Sequence, residues 1–238
     1  MDELVPRLPW LNHEGMISIR TATFGDVTAL VTLNHAAYPD LVGEGIVFEP
    51  EQIREQLARF PEGQLVAVMD GEIVGAIATL VLPAAVALAP HTWADATGDG
   101  TFRTHRPDGD CLYLADVYVA PTAWGRGVGS ALYRALFALC REKKLARVAA
   151  GGRLFGYHEV REQMTPGTYV DEVVRGVRRD QVLGSQLRAG FVVQGVMRDY
   201  LHDWRSASFA TLLVWPNPDL RTSDERRVAG GVELVAET

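Results

Sequence analysis

Three glycines within nine residues give the chain its first chemical signal. Residues 124–132 read WGRGVGSAL, with Gly125, Gly127 and Gly129 at alternate positions. Glycine removes the side chain where a backbone must turn sharply and come close to another group. From Val128 onward the apolar residues fall at helical spacing: Val128, Ala131, Leu132, Ala135, Leu136, Leu139 and Cys140. The glycines therefore deliver the chain into a helix N-terminus, where unpaired N–H groups and the positive end of the helix dipole gather. That combination cradles phosphate. Arg126 and Ser130 add a charge and a hydroxyl to the same turn. Between residues 120 and 150 there are six basic residues and one acid, in a chain of net charge −7. A local polyanion such as a phosphorylated cofactor fits that contrast, as does an ordinary solvated helix face.

The second signal is Asp116, the only charged residue in CLYLADVYV, residues 111–119. The segment is apolar on both faces, as a central strand should be. Burial there would raise the pKa of Asp116 toward a range useful to a general base.

The elements that must hold these groups follow from periodicity and punctuation. Ile17, Ile19 and Thr21 alternate with polar residues as a first strand, and a helix is expected over about 26–37. Pro50 suits a first helical position, and that helix runs to Pro61. Residues 65–69 and 72–82 are apolar runs around Asp70-Gly71, a hairpin signal. Residues 147–150 read as a short strand, with Gly151 ending it. Thr165-Pro166 opens a helix, a second ends at Gly190, and residues 191–197 and 209–215 are the final strands. Residues 1–15 are expected to be a leader, 16–216 one domain, and 217–238 a polar tail. Residues 83–110 and 151–182 are long insertions on the substrate side, rich in Gly, Pro and aromatic residues.

Other phosphate cradles fit less well. A P-loop needs Gly-Lys-Ser/Thr at the end of the turn, and here Gly129 is followed by Ser130 without a lysine. A dinucleotide fingerprint needs a third glycine where Ser130 stands. The stretch instead resembles the signature of the GNAT N-acetyltransferase superfamily, Val-x-Pro followed by Gln/Arg-x-x-Gly-x-Gly/Ala. Val119, Pro121, Gly127, Val128, Gly129 and Leu132 match in register, and Trp124 stands at the Gln/Arg position. The order of elements and RAGF at 188–191 extend the resemblance from about residue 18 to 215. TWADATGDG (92–100), GGRLFGY (151–157) and DQVLGSQLRAGF (180–191) further resemble acetyltransferase domains found fused to carbon–nitrogen hydrolases.

The resemblance implies an α/β fold with a mixed, twisted sheet of about seven strands and helices on both faces. It implies acetyl-CoA as co-substrate, bound in a V-shaped opening between the splayed strands at 117–119 and 147–150. Val117, Tyr118 and Val119 would meet the pantetheine arm, and Trp124, Gly125, Arg126, Gly127, Val128, Gly129 and Ser130 the diphosphate. A primary amine would attack the thioester directly, which needs a base to keep the amine neutral and a donor for the thiolate. Asp116 is the first candidate base and Glu44 a second; a base acting through a chain of waters is the third option. Many relatives carry the acid tyrosine four residues before the Gly-Phe pair, and here that position is Gln186, which can orient a group but cannot donate a proton. Either Tyr157 or Tyr200, and more weakly Ser185, takes that part, or no donor is needed, since a free thiolate near neutral pH is only a weak base. Tyr38, Trp93, His105, Arg153 and His158 would line the substrate side, with Arg153 suited to a carboxylate, as in an amino acid.

The first reading is an N-acetyltransferase acting on a small-molecule amine. The second is a domain that binds acyl-CoA without catalysis, as a sensor or partner module. The charge argues against a general nucleic-acid binder. The lack of an ~18-residue apolar run argues against a membrane span. Two cysteines, Cys111 and Cys140, read as buried free thiols, and with no secretory signal they point to the cytoplasm. No Cys/His cluster has metal spacing. The resemblance also raises pairing of two copies as a homodimer.

Overall fold

The computed structural model describes residues 17–39, 41 and 47–220. Glu44 lies outside the described residues, as do 1–16 and 221–238.

One seven-stranded mixed sheet organises the chain, in the order β1-β2-β3-β4-β5-β7-β6. β1 (Ser18–Thr21) leads through a short turn into α1 (Val27–Ala37) and α2 (Pro50–Arg59). The hairpin of β2 (Gln64–Met69) and β3 (Glu72–Leu82) closes on Asp70 and Gly71. Both turn residues have positive φ, as a two-residue hairpin turn requires. The 83–110 insertion contains two short helices, α3 (Ala84–Ala87) and α4 (Trp93–Thr97). β4 (Cys111–Val119), the glycine turn, α5 (Val128–Glu142) and β5 (Arg147–Arg153) form the centre. α6 (Pro166–Val174) is capped by Thr165, and α7 (Gln181–Ala189) ends on Gly190 at φ 104°. β6 (Val192–Met197) and β7 (Ala210–Pro216) complete the sheet.

Alternate residues of the central strands feed cores on opposite faces. Leu112, Leu114, Val148 and Ala150 pack with α5, α6 and α7. Tyr113, Ala115 and Ala149 pack with α1, α2 and the 83–110 insertion.

β5 is longer than periodicity suggests. Gly151 and Gly152 read as a strand end, yet they pair with Leu212 and Thr211 of β7, so the insertion expected from 151 begins only after Arg153. They are glycines because side chains lie over them. A Cβ at Gly151 would stand 2.0 Å from Tyr200 Cζ, and one at Gly152 would stand 2.5 Å from Gln186 Oε1.

Candidate active site

β4 and β5 run parallel over only four residue pairs, from Cys111↔Arg147 to Leu114↔Ala150, and then part. A bulge at Ala115 marks the fork. On the β3 side, Ala78 faces Asp116 while the next residue, Thr79, faces Leu114, leaving Ala115 extra. The opening therefore lies between residues 115–119 of β4 and 151–153 of β5. Residues 147–150, expected to line it, are instead the zipped part of the ladder.

Hydrogen-bond phase decides which way the freed backbone points. Ala120 N–H donates to Val74 O at 2.9 Å, so the bonded pairs continue as 76/118 and 78/116. The N–H and C=O groups of Val117 and Val119 then face away from β3, into the opening. Two side chains already reach the carbonyls: Tyr38 Oη lies 3.2 Å from Val117 O, and Trp124 Nε1 donates to Val119 O at 3.0 Å.

At the head of α5 the glycine turn takes the predicted form. Gly125 and Gly127 have φ of 75° and 85°, where side-chain-bearing residues are strained. Apart from their chain neighbours and the backbone of their own helix, no atom of the described residues lies within 4 Å of a Cβ built at Gly125, Gly127 or Gly129. The first bond of the helix is Ala131 N–H to Gly127 O, 3.0 Å. The N–H groups of Gly127, Val128, Gly129 and Ser130 have no backbone acceptor among the described residues. Trp124 is 55% exposed at the lip. Arg126 is also exposed, and its nearest charge is Asp70, 3.9 Å away.

Asp116 is a half-buried carboxylate with a built environment. Its oxygens accept from Tyr38 Oη at 2.7 Å and from Asn34 Nδ2 at 3.2 Å. Burial pushes its pKa up to about 6, against the lowering effects of Tyr38, the Val117 N–H, Asn34 and the Arg153 charge. Tyr38 is thus a partner of Asp116. Asn34, 1% exposed, is a site residue that sequence reasoning passed over; its other amide atom, Oδ1, accepts from Phe48 N–H at 2.9 Å. Its signal was a polar residue on the core stripe of α1, one position after Leu33 and four after Leu30.

Arg153 ends β5 and reaches the same group. Its guanidinium carbon lies 5.8 Å from the Tyr38 ring centroid, its Nε donates to the buried Asp203 at 2.9 Å, and its Nη2 is buried without a partner among the described residues. On the opposite face, Gln186 is 3% exposed and its Oε1, beside Gly152, also lacks a partner among the described residues. Trp93 Nε1 donates to Ala115 O at the bulge, 3.0 Å, and ties the 83–110 insertion to the fork.

Three expected site residues are placed otherwise. Tyr157 is a core residue whose hydroxyl donates to Met164 O at 3.0 Å and whose ring meets Tyr169 and Phe209 edge-on. An apolar insertion wall needed a large aromatic there, so its hydroxyl is spent on a local carbonyl. His105 accepts from Val81 N–H at 3.0 Å and stacks on Phe60. Val81 pairs with Leu112, at the end of β4 away from the opening. His158 bonds to Phe155 O at 3.1 Å within its own loop and packs against Trp204 of the segment between β6 and β7. Ser185 donates to Val182 O at 2.8 Å. Cys111 and Cys140 are free and buried.

Among the described residues no helix is long and apolar enough to cross a membrane, and no three His, Cys, Asp or Glu side chains are grouped to hold a metal.

A family model described as the acetyltransferase (GNAT) family matches residues 27–154. An uncharacterized N-acetyltransferase of Bacillus subtilis, YkwB, is 31% identical over 86% of this chain and 92% of its own. A second protein of that organism, the probable hydrolase YhcX, is 32% identical over 93% of this chain but only 42% of its own length, in keeping with a domain also found joined to a hydrolase. Among solved structures, the GNAT-like decarboxylase GphF, in complex with isobutyryl-CoA, has a TM-score of 0.72 at 24% identity, covering 84% of this chain and 98% of that one. The loading GNATL domain of CurA from Lyngbya majuscula has a TM-score of 0.70 at 17% identity over 85% and 98%. YncA from Salmonella typhimurium, solved with its cofactor acetyl-CoA, has a TM-score of 0.53 at 18% identity over 87% and 96%. These three structural likenesses concern the fold.

Proposed function

The chain belongs to the acetyltransferase (GNAT) family, and from that premise we propose that it transfers an acetyl group from acetyl-CoA to a primary amine of a small molecule. The observation that carries the reading is the fork itself: two central strands that part after four pairs, beside a helix N-terminus with open space over its glycines. The diphosphate sits on the amides of residues 127–130, where the dipole and free N–H groups favour negative charge. The pantetheine arm runs into the opening past Val119, and Gln186 Oε1 accepts one of its amide N–H groups, satisfying an atom that is otherwise buried unpaired. YncA, with acetyl-CoA as its cofactor, supports the same choice of co-substrate here.

Asp116 acts as the base. As the amine nitrogen attacks the thioester carbon, its proton passes to the carboxylate. The C–S bond breaks, and the proton moves on to the thiolate, whose conjugate acid has a pKa near 8.5, above that of Asp116. Tyr38 and Asn34 hold the carboxylate in place. Arg153, with an unpaired Nη2 beside Tyr38, binds a carboxylate on the acceptor, which makes amino-acid-like amines the first to try.

Thiol release from acetyl-CoA in the presence of a pool of primary amines, with and without carboxylates, tests the reading. Release with at least one amine is expected. Tight CoA binding without release from any amine would favour a sensor.

A further inference from the structure

Tyr200 sits where the two central strands part. It lies between β6 and β7, and its ring crosses Gly151, the first β5 residue beyond the β4 ladder. A Cβ on Gly151 would stand 2.3 Å from the Tyr200 oxygen. Tyr200 Oη is 2.9 Å from Tyr113 Oη, and Tyr113 Oη is 2.7 Å from His91 Nε2. His91 Nδ1 is 2.7 Å from Ala89 O.

These contacts have one consistent direction. A carbonyl only accepts, so His91 Nδ1 carries a hydrogen, and the neutral ring then presents a bare Nε2. Tyr113 donates to Nε2, which leaves its oxygen to receive the hydroxyl hydrogen of Tyr200. The Tyr200 oxygen, its own hydrogen given to Tyr113, keeps its lone pairs to accept a hydrogen at the fork. Both tyrosines are buried while His91 is half-buried, so the chain leads from the fork toward the surface. Burial lowers the pKa of His91, opposed by Ala89 O and by Asp95 of α4. The Asp116 charge acts on Tyr200, and both phenols have raised pKa values, so neither ionises at neutral pH.

We propose that Tyr200, Tyr113 and His91 form a relay that carries a proton from the acceptor ammonium out to solvent. The proposal rests on the acyl-transfer reading above and adds the proton that reading leaves unplaced. An ammonium loses one proton before it can attack and a second as the C–N bond forms; Asp116 takes the second. In the first step the ammonium N–H passes its proton to Tyr200 O, Tyr200 passes its own to Tyr113 O, and Tyr113 passes its own to His91 Nε2. The imidazolium then gives its Nδ1 proton to water, and the ring and the two hydroxyls turn back to their starting directions before the next turnover. No covalent bond to carbon changes, and the positive charge leaves with the proton.

Tyr200→Phe keeps the ring over Gly151 and removes the relay atom. With the amine that releases thiol fastest, kcat/KM of this variant is expected to fall about tenfold or more near pH 6.5 and to approach wild type near pH 9.5, where more of the amine is already neutral. KM for acetyl-CoA should not move. With hydroxylamine, unprotonated at neutral pH, the variant should match wild type. An equal loss at every pH and with both nucleophiles would mark a merely structural tyrosine and overturn the relay. Nitrogen NMR of His91 gives a readout free of turnover: an Nδ1–H neutral form is expected, with the Nε2 resonance shifted by Tyr113→Phe, and an Nε2–H form in the wild type would overturn the proposal. Wild-type turnover separates failure of the relay from failure of acyl transfer; without turnover on any amine, both fall.

Discussion

Glutamate at position 129 should separate binding from folding. Gly129 is the second residue of α5, outside the left-handed region, and apart from its chain neighbours and its own helix backbone no atom of the described residues lies within 4 Å of its Cβ site. A longer side chain therefore enters open space. For the fold the change is favourable: replacing a helical glycine gains about 0.5–1 kcal/mol, and an acid in the first turn adds about 0.3–1 kcal/mol. For the ligand it is costly. Two unit charges ~5 Å apart at an effective dielectric of ~20 repel by about 3 kcal/mol. Solvent screening halves that figure, but the diphosphate presents two charges, so about 3 kcal/mol remains, a factor of roughly 100 in affinity. Calorimetric titration with CoA should show Kd raised about 100-fold or more, while Tm stays level or rises. Gly129→Gln carries the bulk without the charge and should lose less. A folded Gly129→Glu variant that binds CoA within about threefold of wild type would refute the placement of the diphosphate on these amides.

Three further outcomes follow from the same geometry. Asp116→Asn should leave acetyl-CoA affinity unchanged and lower kcat by about 10²–10⁴; because the base acts deprotonated, wild-type activity should rise with pH through about 6, and this limb should vanish in the variant. Tyr38→Phe removes a hydroxyl that lowers the Asp116 pKa, so the same limb should move to higher pH in a kcat–pH profile. Gln186→Leu removes a buried acceptor that has no partner, so apo stability in urea should hold or rise by about 1 kcal/mol while acetyl-CoA affinity falls.

The sequence made the scaffold legible where local physics dominates. The Asp70-Gly71 hairpin, the Thr165 cap, the Gly190 terminus and the turn into α5 each depend on residues within a few positions of one another. Asp116 was legible for a related reason, as one charge in an apolar strand. Its partners were not, because Asn34 and Tyr38 reach it across 82 and 78 residues of chain. Gly151 and Gly152 misled for the same reason. The side chains of Tyr200 and Gln186 that demand glycine arrive from other elements, so the pair read as a strand end. His105 shows the limit of composition: an imidazole in a long insertion invites a substrate role, but its ring nitrogen serves the Val81 N–H.

A crystal structure with acetyl-CoA bound decides where the cofactor lies. The diphosphate should accept from the main-chain N–H groups of residues 127–130, with the thioester between Ala115 of β4 and Gly151 of β5. A diphosphate held elsewhere, or β4 and β5 paired along their full length with the cofactor present, would contradict it.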